Sequence, residues 1–306
     1  MIGCVARKPD IARGALEALL SRVFGPAVSF ERTAEGVSTQ VYRVFRGDEV
    51  FYLRIAEEPD DNLETDALVH HELRRRGVKV AEVIHVDPFD DGIGRSTMVT
   101  TAVAGAATEH PSAAVVEAAG ADLAVINQLP VRGWGFVRRR GHGWPLEGAY
   151  RDHVSSLPSP WPGRLAELFD PAELAVIEDL LPEERAGPAV LNHGDFDLTQ
   201  VFHDGGRYSG LIDFGEIRGA EPFFDLGHFA LHHDAELAAL LVGYQRVRPL
   251  SADHLRSIRR SAILLGCRQL WGWLAPPRNR APSHPVVSYR TEQVKRQIHR
   301  RSVGNH

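Results

Sequence analysis

Apolar residues recur along this chain in two rhythms, and the change of rhythm divides it. Over residues 10–24, Ile11, Leu16, Leu19, Leu20, Val23 and Phe24 fall largely on one face of a 3.6-residue period. That spacing predicts a helix, which Gly25-Pro26 stops. Residues 28–32, 40–46 and 50–56 read as strands, with Gly47-Asp48-Glu49 as the turn between the last two. A charged helix is expected over 64–76, with Leu68 and Leu73 inward and Gly77 at its end. Residues 83–86 and 96–103 then complete a sheet of about five strands. From Pro111 onward the rhythm is helical, over 112–127, 172–181, 225–231, 235–247 and 252–274. Asp170-Pro171-x-Glu173 is a helix start, with Asp as N-cap and Pro in the first turn. Residues 276–285 are Pro-rich and read as irregular, and the basic stretch 289–301 is compatible with a last helix. Strands first and helices afterwards predict an α+β architecture of two lobes. A small antiparallel-sheet lobe covers 1–103 and a larger, mainly helical lobe covers 104–306, hinged near Ala104-Gly105-Ala106.

Composition narrows the partners. The 306 residues are 43% hydrophobic and 25% charged, as in ordinary globular proteins. A net charge of −5 argues against nucleic acid and fits a mild attraction for a cationic substrate. Cys4 and Cys267 stand far apart, so neither a disulfide framework nor a zinc motif is implied. Residues 1–8 have no apolar signal core and no stretch is long enough to span a bilayer. The expected setting is the cytoplasm, without membrane partners, as a monomer or dimer.

Chemistry enters between residues 190 and 215. Val190-Leu191 is a short apolar run, 200–203 is a second, and Asp204-Gly205-Gly206 signals a tight turn before a strand over 208–214. This arrangement puts Asp195 of His193-Gly194-Asp195 on a loop, and Asp213 of Ile212-Asp213-Phe214-Gly215 at a strand's exit. Singly, Asp195 reads as a turn former and Asp213 as a helix cap. Together they match the kinase pattern of His-x-Asp-x-x-x-x-Asn followed by Asp-Phe-Gly. In that pattern the first Asp receives a hydroxyl proton and the second holds a metal. One position departs, because Gln200 stands where the pattern has Asn.

The segment 191–226 resembles the catalytic core of the aminoglycoside phosphotransferase family. There the Asp-Phe-Gly motif is followed by Pro-x-x-Asp-Leu, as in Pro222-Phe223-Phe224-Asp225-Leu226 here. The likeness continues more weakly over 34–127. It implies a protein-kinase-like bilobal fold, ATP (or GTP) and magnesium as cofactors, and a small-molecule hydroxyl substrate. By the same resemblance, Asp195 is the catalytic base, His193 braces its loop, Asp213 ligates magnesium and Asp225 is structural. Gln200 then offers its amide oxygen as second metal ligand. Two alternatives stay open: Asp197 supplies that oxygen, or metal binding is weakened and the chain is a pseudokinase. Arg54 takes the place of the usual strand lysine that holds phosphates, and its planar fork suits them. Asp66 is its acidic partner, with Glu64 as second choice. Either a phosphate-covering turn or a plain hairpin loop is expected at 35–39; as the former, Gly36 permits close approach and Ser38 or Thr39 bonds phosphate oxygens. Main-chain groups from Thr100 to Val103 would hold the adenine.

Members of this family hold cationic substrates with acidic residues of the helical lobe, and Glu216, Glu221, Asp234 and Glu236 follow the metal site closely. The expected substrate is therefore an aminoglycoside-type antibiotic. The alternatives are a metabolic kinase for a sugar, choline-like or homoserine-like alcohol, and a nucleotide-binding pseudokinase. His70-His71 and His232-His233 are helix neighbours that point to different faces and do not chelate one metal well. Arg138-Arg139-Arg140 reads as a solvated face. Gly133-Trp134-Gly135-Phe136 does not join a strand to a helix, so it is no dinucleotide site.

Overall fold

The computed structural model describes residues 10–33, 40–58, 61–139, 143–152, 162–181 and 188–300. The first lobe is a five-stranded antiparallel sheet in the order β1-β2-β3-β5-β4. Its strands are β1 (Ser29–Arg32), β2 (Gln40–Arg46), β3 (Glu49–Ile55), β4 (Val83–Asp90) and β5 (Arg95–Thr101). Helix α1 (Arg13–Phe24) lays Leu16, Leu19 and Leu20 on Tyr42, Val44, Phe51 and Leu53 of this sheet, giving the lobe its own core.

Helix α2 (Glu64–Arg75) has two apolar faces with different owners. Leu63, just before it, and Ala67 pack with Ala56 and Met98 of the sheet. Val69 and Leu73 instead join the core of the second lobe, along with Val78, Val80, Leu123, Leu211 and Phe214. The main chain repeats the join, since the Leu211 amide donates to the Lys79 carbonyl at 2.8 Å.

The second lobe contains α3 (Ala113–Ile126), α4 (Pro171–Asp179), α5 (Phe224–His232), α6 (Leu237–Val247), α7 (Ala252–Leu274) and α8 (Pro285–His299). The last helix begins earlier than its basic stretch suggests, because Pro285 occupies the first turn and His284 caps the Val286 amide. A second five-stranded sheet was not foreseen, and the region after Pro111 is less purely helical than its rhythm implies. It runs β6-β8-β7-β12-β9, from β6 (Val131–Arg132), β7 (Trp134–Val137), β8 (Leu146–Tyr150), β9 (Val190–Asn192) and β12 (Arg218–Ala220). These strands are two to five residues long. Such lengths show no alternation, and long-range pairing makes them. β9 and β12 pair antiparallel with Asn192 opposite Arg218, so the two ends of the segment 193–217 are clamped side by side. Within it lies the expected hairpin of β10 (Val201–Asp204) and β11 (Arg207–Leu211).

Helices α3 and α6 meet backbone to backbone. A Cβ on Gly243 would lie 1.7 Å from the Glu117 carbonyl oxygen, and one on Gly120 2.2 Å from that of Leu240. Only glycine allows this approach. Gly243→Ala is expected to push the pair apart and destabilise the fold by about 1–3 kcal/mol, the usual cost of overpacking. A Tm equal to that of the unsubstituted protein would contradict the close packing.

Candidate active site

The loop that carries Asp195 hangs from one buried carboxylate. Asp225, in the first turn of α5, accepts from the main-chain amides of His193 at 2.8 Å and Gly194 at 2.9 Å, and from Asn127 Nδ2 at 3.0 Å. Asn127 Nδ2 also lies 3.1 Å from the Leu191 carbonyl oxygen, and its Oδ1 accepts from Tyr244 at 3.5 Å. Gly194 has φ 91° and a virtual Cβ 2.0 Å from the Glu216 carbonyl oxygen, so no side chain fits there. These contacts fix the backbone on either side of Asp195 while its own carboxylate remains half-exposed.

His193 performs the bracing role. It is fully buried, and its Nε2 donates to the Ile212 carbonyl at 2.9 Å, tying the Asp195 loop to the strand that delivers Asp213. Asp213 adopts a left-handed conformation, φ 59° and ψ 68°, with Oδ1 accepting from the Gly215 amide at 3.3 Å. Phe214 turns inward, its ring 4.8 Å from that of His193 and 5.3 Å from that of His70 on α2. Gln200 sits beside this exit, since its carbonyl oxygen accepts from the Ile212 amide at 3.1 Å. Asp197 is engaged elsewhere: Oδ1 accepts from the Thr199 amide at 3.0 Å and Oδ2 lies 2.8 Å from His233 Nε2. Burial opposes its charge, but these partners prevail and hold its carboxyl below the usual range.

His228 escaped the sequence reading. It lies one helical turn after Asp225, at an i, i+3 spacing that shares a face, which was the available signal. Its Nδ1 donates to the Phe196 carbonyl at 3.0 Å, leaving Nε2 facing Asp195 Oδ1 at 3.6 Å. Burial lowers its pKa, against the pull of its Phe196 bond and of Asp195, Asp225 and Asp197.

In the first lobe, Asp66 is fully buried on α2, and Arg54 Nη1 on β3 lies 3.8 Å from its Oδ1. The shorter contact comes from Arg139, whose Nε donates to Asp66 Oδ2 at 3.0 Å and whose Nη2 donates to the Gly215 carbonyl at 2.7 Å. Arg139 is therefore not part of a solvated face, because lobe packing brings its fork to a buried charge. Arg138 does stay exposed. Thr100 lies inside β5, between Tyr52 and Val83, and the amides of Thr101 and Ala102 are used by the Glu82 and Val50 carbonyls. Val103 lines a cavity of about 330 Å³ with Gly77, Lys79, Thr101, Ala104 and Ser209. Ser38 and Thr39 lie outside the described residues.

Two of the acidic candidates are already paired with arginines. Glu216 bonds Arg218 Nη2 at 2.9 Å, and Asp234 pairs with Arg300. Glu221 lies just ahead of α5, and Glu236 stands at the start of α6. Arg218 is nearly buried between the rings of Phe136 and Phe224, at 4.4 and 5.1 Å.

The contact of His70 with Phe214 gives a pH prediction. Burial, outweighing its bond to the Ala81 carbonyl, lowers the His70 pKa from 6.5 to about 4. Between these values the unfolded chain binds a proton that the folded chain refuses, so stability is full above pH 6.5 and falls toward pH 4. The total is on the order of 3 kcal/mol. His232, lowered to about 3 by burial, acts in the same direction. Denaturant titrations at pH 7 and pH 5 should show this loss, and His70→Gln should make it smaller; an unchanged slope in the variant would refute the assignment.

The model of the phosphotransferase enzyme family matches residues 29–257. The homoserine kinase of Chelativorans sp. (strain BNC1) is 28% identical over 302 residues, covering 88% of each chain. Among solved structures, a thermostable mutant of aminoglycoside phosphotransferase APH(4)-Ia, in ternary complex with ADP and hygromycin B, superposes with a TM-score of 0.64 at 18% identity. That match covers 95% of this chain and 100% of the other. A putative fructosamine-3-kinase from Thermobifida fusca YX-ER1 gives 0.60 at 19% identity, over 95% and 100%. The fold is thus protein-kinase-like, and the family match spans both Asp195 and Asp213. The chain belongs to the phosphotransferase enzyme family and is a small-molecule kinase.

Proposed function

We propose that this kinase transfers the terminal phosphoryl group of ATP (or GTP) to the hydroxyl of a small hydroxy amino acid of the homoserine type. The observation that carries the phosphotransfer reading is the pairing of a half-exposed Asp195, on a loop fixed from below by Asp225, with Asp213 across the His193–Ile212 bond. Asp195 accepts the hydroxyl proton as the oxygen attacks, while Arg54 contributes charge to the phosphates. Asp213 and Gln200 offer a carboxylate and an amide oxygen, hard donors that fit magnesium, whose remaining ligands are ordinarily waters and phosphate. When bound, that ion neutralises phosphate charge. Asp197, already bonded to Thr199 and His233, is the poorer second ligand. The structural neighbour's complex with ADP supports the nucleotide.

Two observations favour an amino acid over a polycationic antibiotic. Sequence relatives that match over more than four fifths of the chain at 27–28% identity include several called homoserine kinases. Two of the acidic residues that would attract a polycation are already paired, Glu216 with Arg218 and Asp234 with Arg300. The aminoglycoside reading rests on the shared fold and on the acidic sequence between 216 and 236.

An ADP-release assay with L-homoserine, other small alcohols and aminoglycosides distinguishes these readings. Turnover with aminoglycosides alone would replace the substrate assignment. No turnover at all, with nucleotide binding indifferent to magnesium, would make the chain a pseudokinase. Asp195→Asn is expected to lower kcat at least about a hundredfold with little change in nucleotide affinity; undiminished kcat would end its assignment as base. Gln200→Leu should raise the magnesium concentration needed for half-maximal rate, and Gln200→Asn should not. Equal magnesium dependence in both variants would remove Gln200 from the metal site.

A further inference from the structure

We propose that Arg218 is the acceptor-binding residue of this kinase: its guanidinium holds the substrate's α-carboxylate beside Asp195, and Glu216 takes the α-ammonium. This rests on, and sharpens, the reading of the acceptor as a small hydroxy amino acid. Arg218 is held in place from several sides. Its backbone pairs with Phe136 on β7 and with Asn192 on β9. The rings of Phe136 and Phe224 lie 4.4 and 5.1 Å from its guanidinium carbon and fix the plane of the fork. A Cβ on Gly194 would lie 2.8 Å from Arg218 Nε, so the guanidinium stands against the residue that precedes the base. A hydroxyl at Asp195 and a carboxylate at Arg218 can therefore belong to one small molecule.

The fork is not used up by the protein. Nε donates to the Glu216 carbonyl at 3.2 Å and Nη2 to Glu216 Oε2 at 2.9 Å. Nη1 has no acceptor among the described residues and keeps contact with solvent. Glu216 is half-exposed, and among the described residues its Oε1 accepts no bond. The pair thus offers one open donor edge and one open acceptor, opposite in charge and adjacent, as the two groups of an amino acid are. Burial works against the charge of Arg218, yet a guanidinium stays protonated at neutral pH. Arg268, exposed on α7, adds a second positive charge felt at Arg218. A carboxylate is drawn to this place, whereas a polycation would meet a nearly buried arginine with nothing to offer it.

The test compares kcat/KM for L-homoserine and L-homoserinamide, in which the carboxylate is a neutral amide, at saturating ATP and magnesium. The unsubstituted protein should prefer the acid at least about tenfold, the worth of a charge-assisted hydrogen bond. No preference overturns the inference, and this arm needs no variant to fold. In Arg218→Gln the preference should shrink to about threefold or less, mainly through KM for the acid. Arg218→Lys, which keeps the charge without the fork, should retain part of it. A merely structural role predicts equal losses on both acceptors; an unchanged preference overturns the inference and leaves homoserine as substrate. Glu216→Gln should likewise erase the preference for L-homoserine over N-acetyl-L-homoserine, and a preference left intact removes Glu216 from the acceptor site. Turnover confined to acceptors without a carboxylate, or of no acceptor at all, overturns the amino-acid reading itself and this inference with it.

Discussion

Everything in the reactive part of this molecule hangs on the burial of Asp225. A carboxylate removed from water must be satisfied, and this one is satisfied by two consecutive main-chain amides and the Asn127 amide group. Because the amides belong to His193 and Gly194, the requirement to bond Asp225 becomes a requirement on the path of the chain just before Asp195. The β9–β12 pairing holds the two ends of the same segment, and the His193 imidazole links its two halves. A half-exposed carboxylate can then sit at a fixed place without being held by its own oxygens. That division of labour suits a proton acceptor, whose lone pairs must stay available.

Much of this was legible in the sequence, for a physical reason. Asp195, Asp213 and Asp225 lie within 31 residues, in local contexts whose side-chain chemistry limits what each can do. The turn at Asp204-Gly205-Gly206 sets the hairpin between the first two, and the single departure at Gln200 could be named from spacing alone. Helices with strong periodicity, such as α1 and α7, were equally readable, because their burial follows a local repeat.

What stayed hidden depends on contacts between distant segments. Strands as short as β6 and β12 carry no period, and their pairing exists only after the lobe has closed. Arg139 sits in an arginine triplet that looks like any solvated run, and nothing near it announces a carboxylate 73 residues upstream. Thr100 was placed on the right strand, but its main chain is enclosed by neighbours on both sides that local pattern does not weigh. The acidic residues 216–236 read as a cluster in one dimension, whereas folding assigns Glu216 and Asp234 to separate arginines.

Helix α2 follows the first lobe's strands in sequence, yet Val69 and Leu73 are embedded in the second lobe's core. Its other face packs Ala67 on the sheet, so mechanically it couples the two lobes rather than belonging to either. If the lobes rock, the strain falls on α2, which stands between Arg54 on β3 and Arg139 in the second lobe.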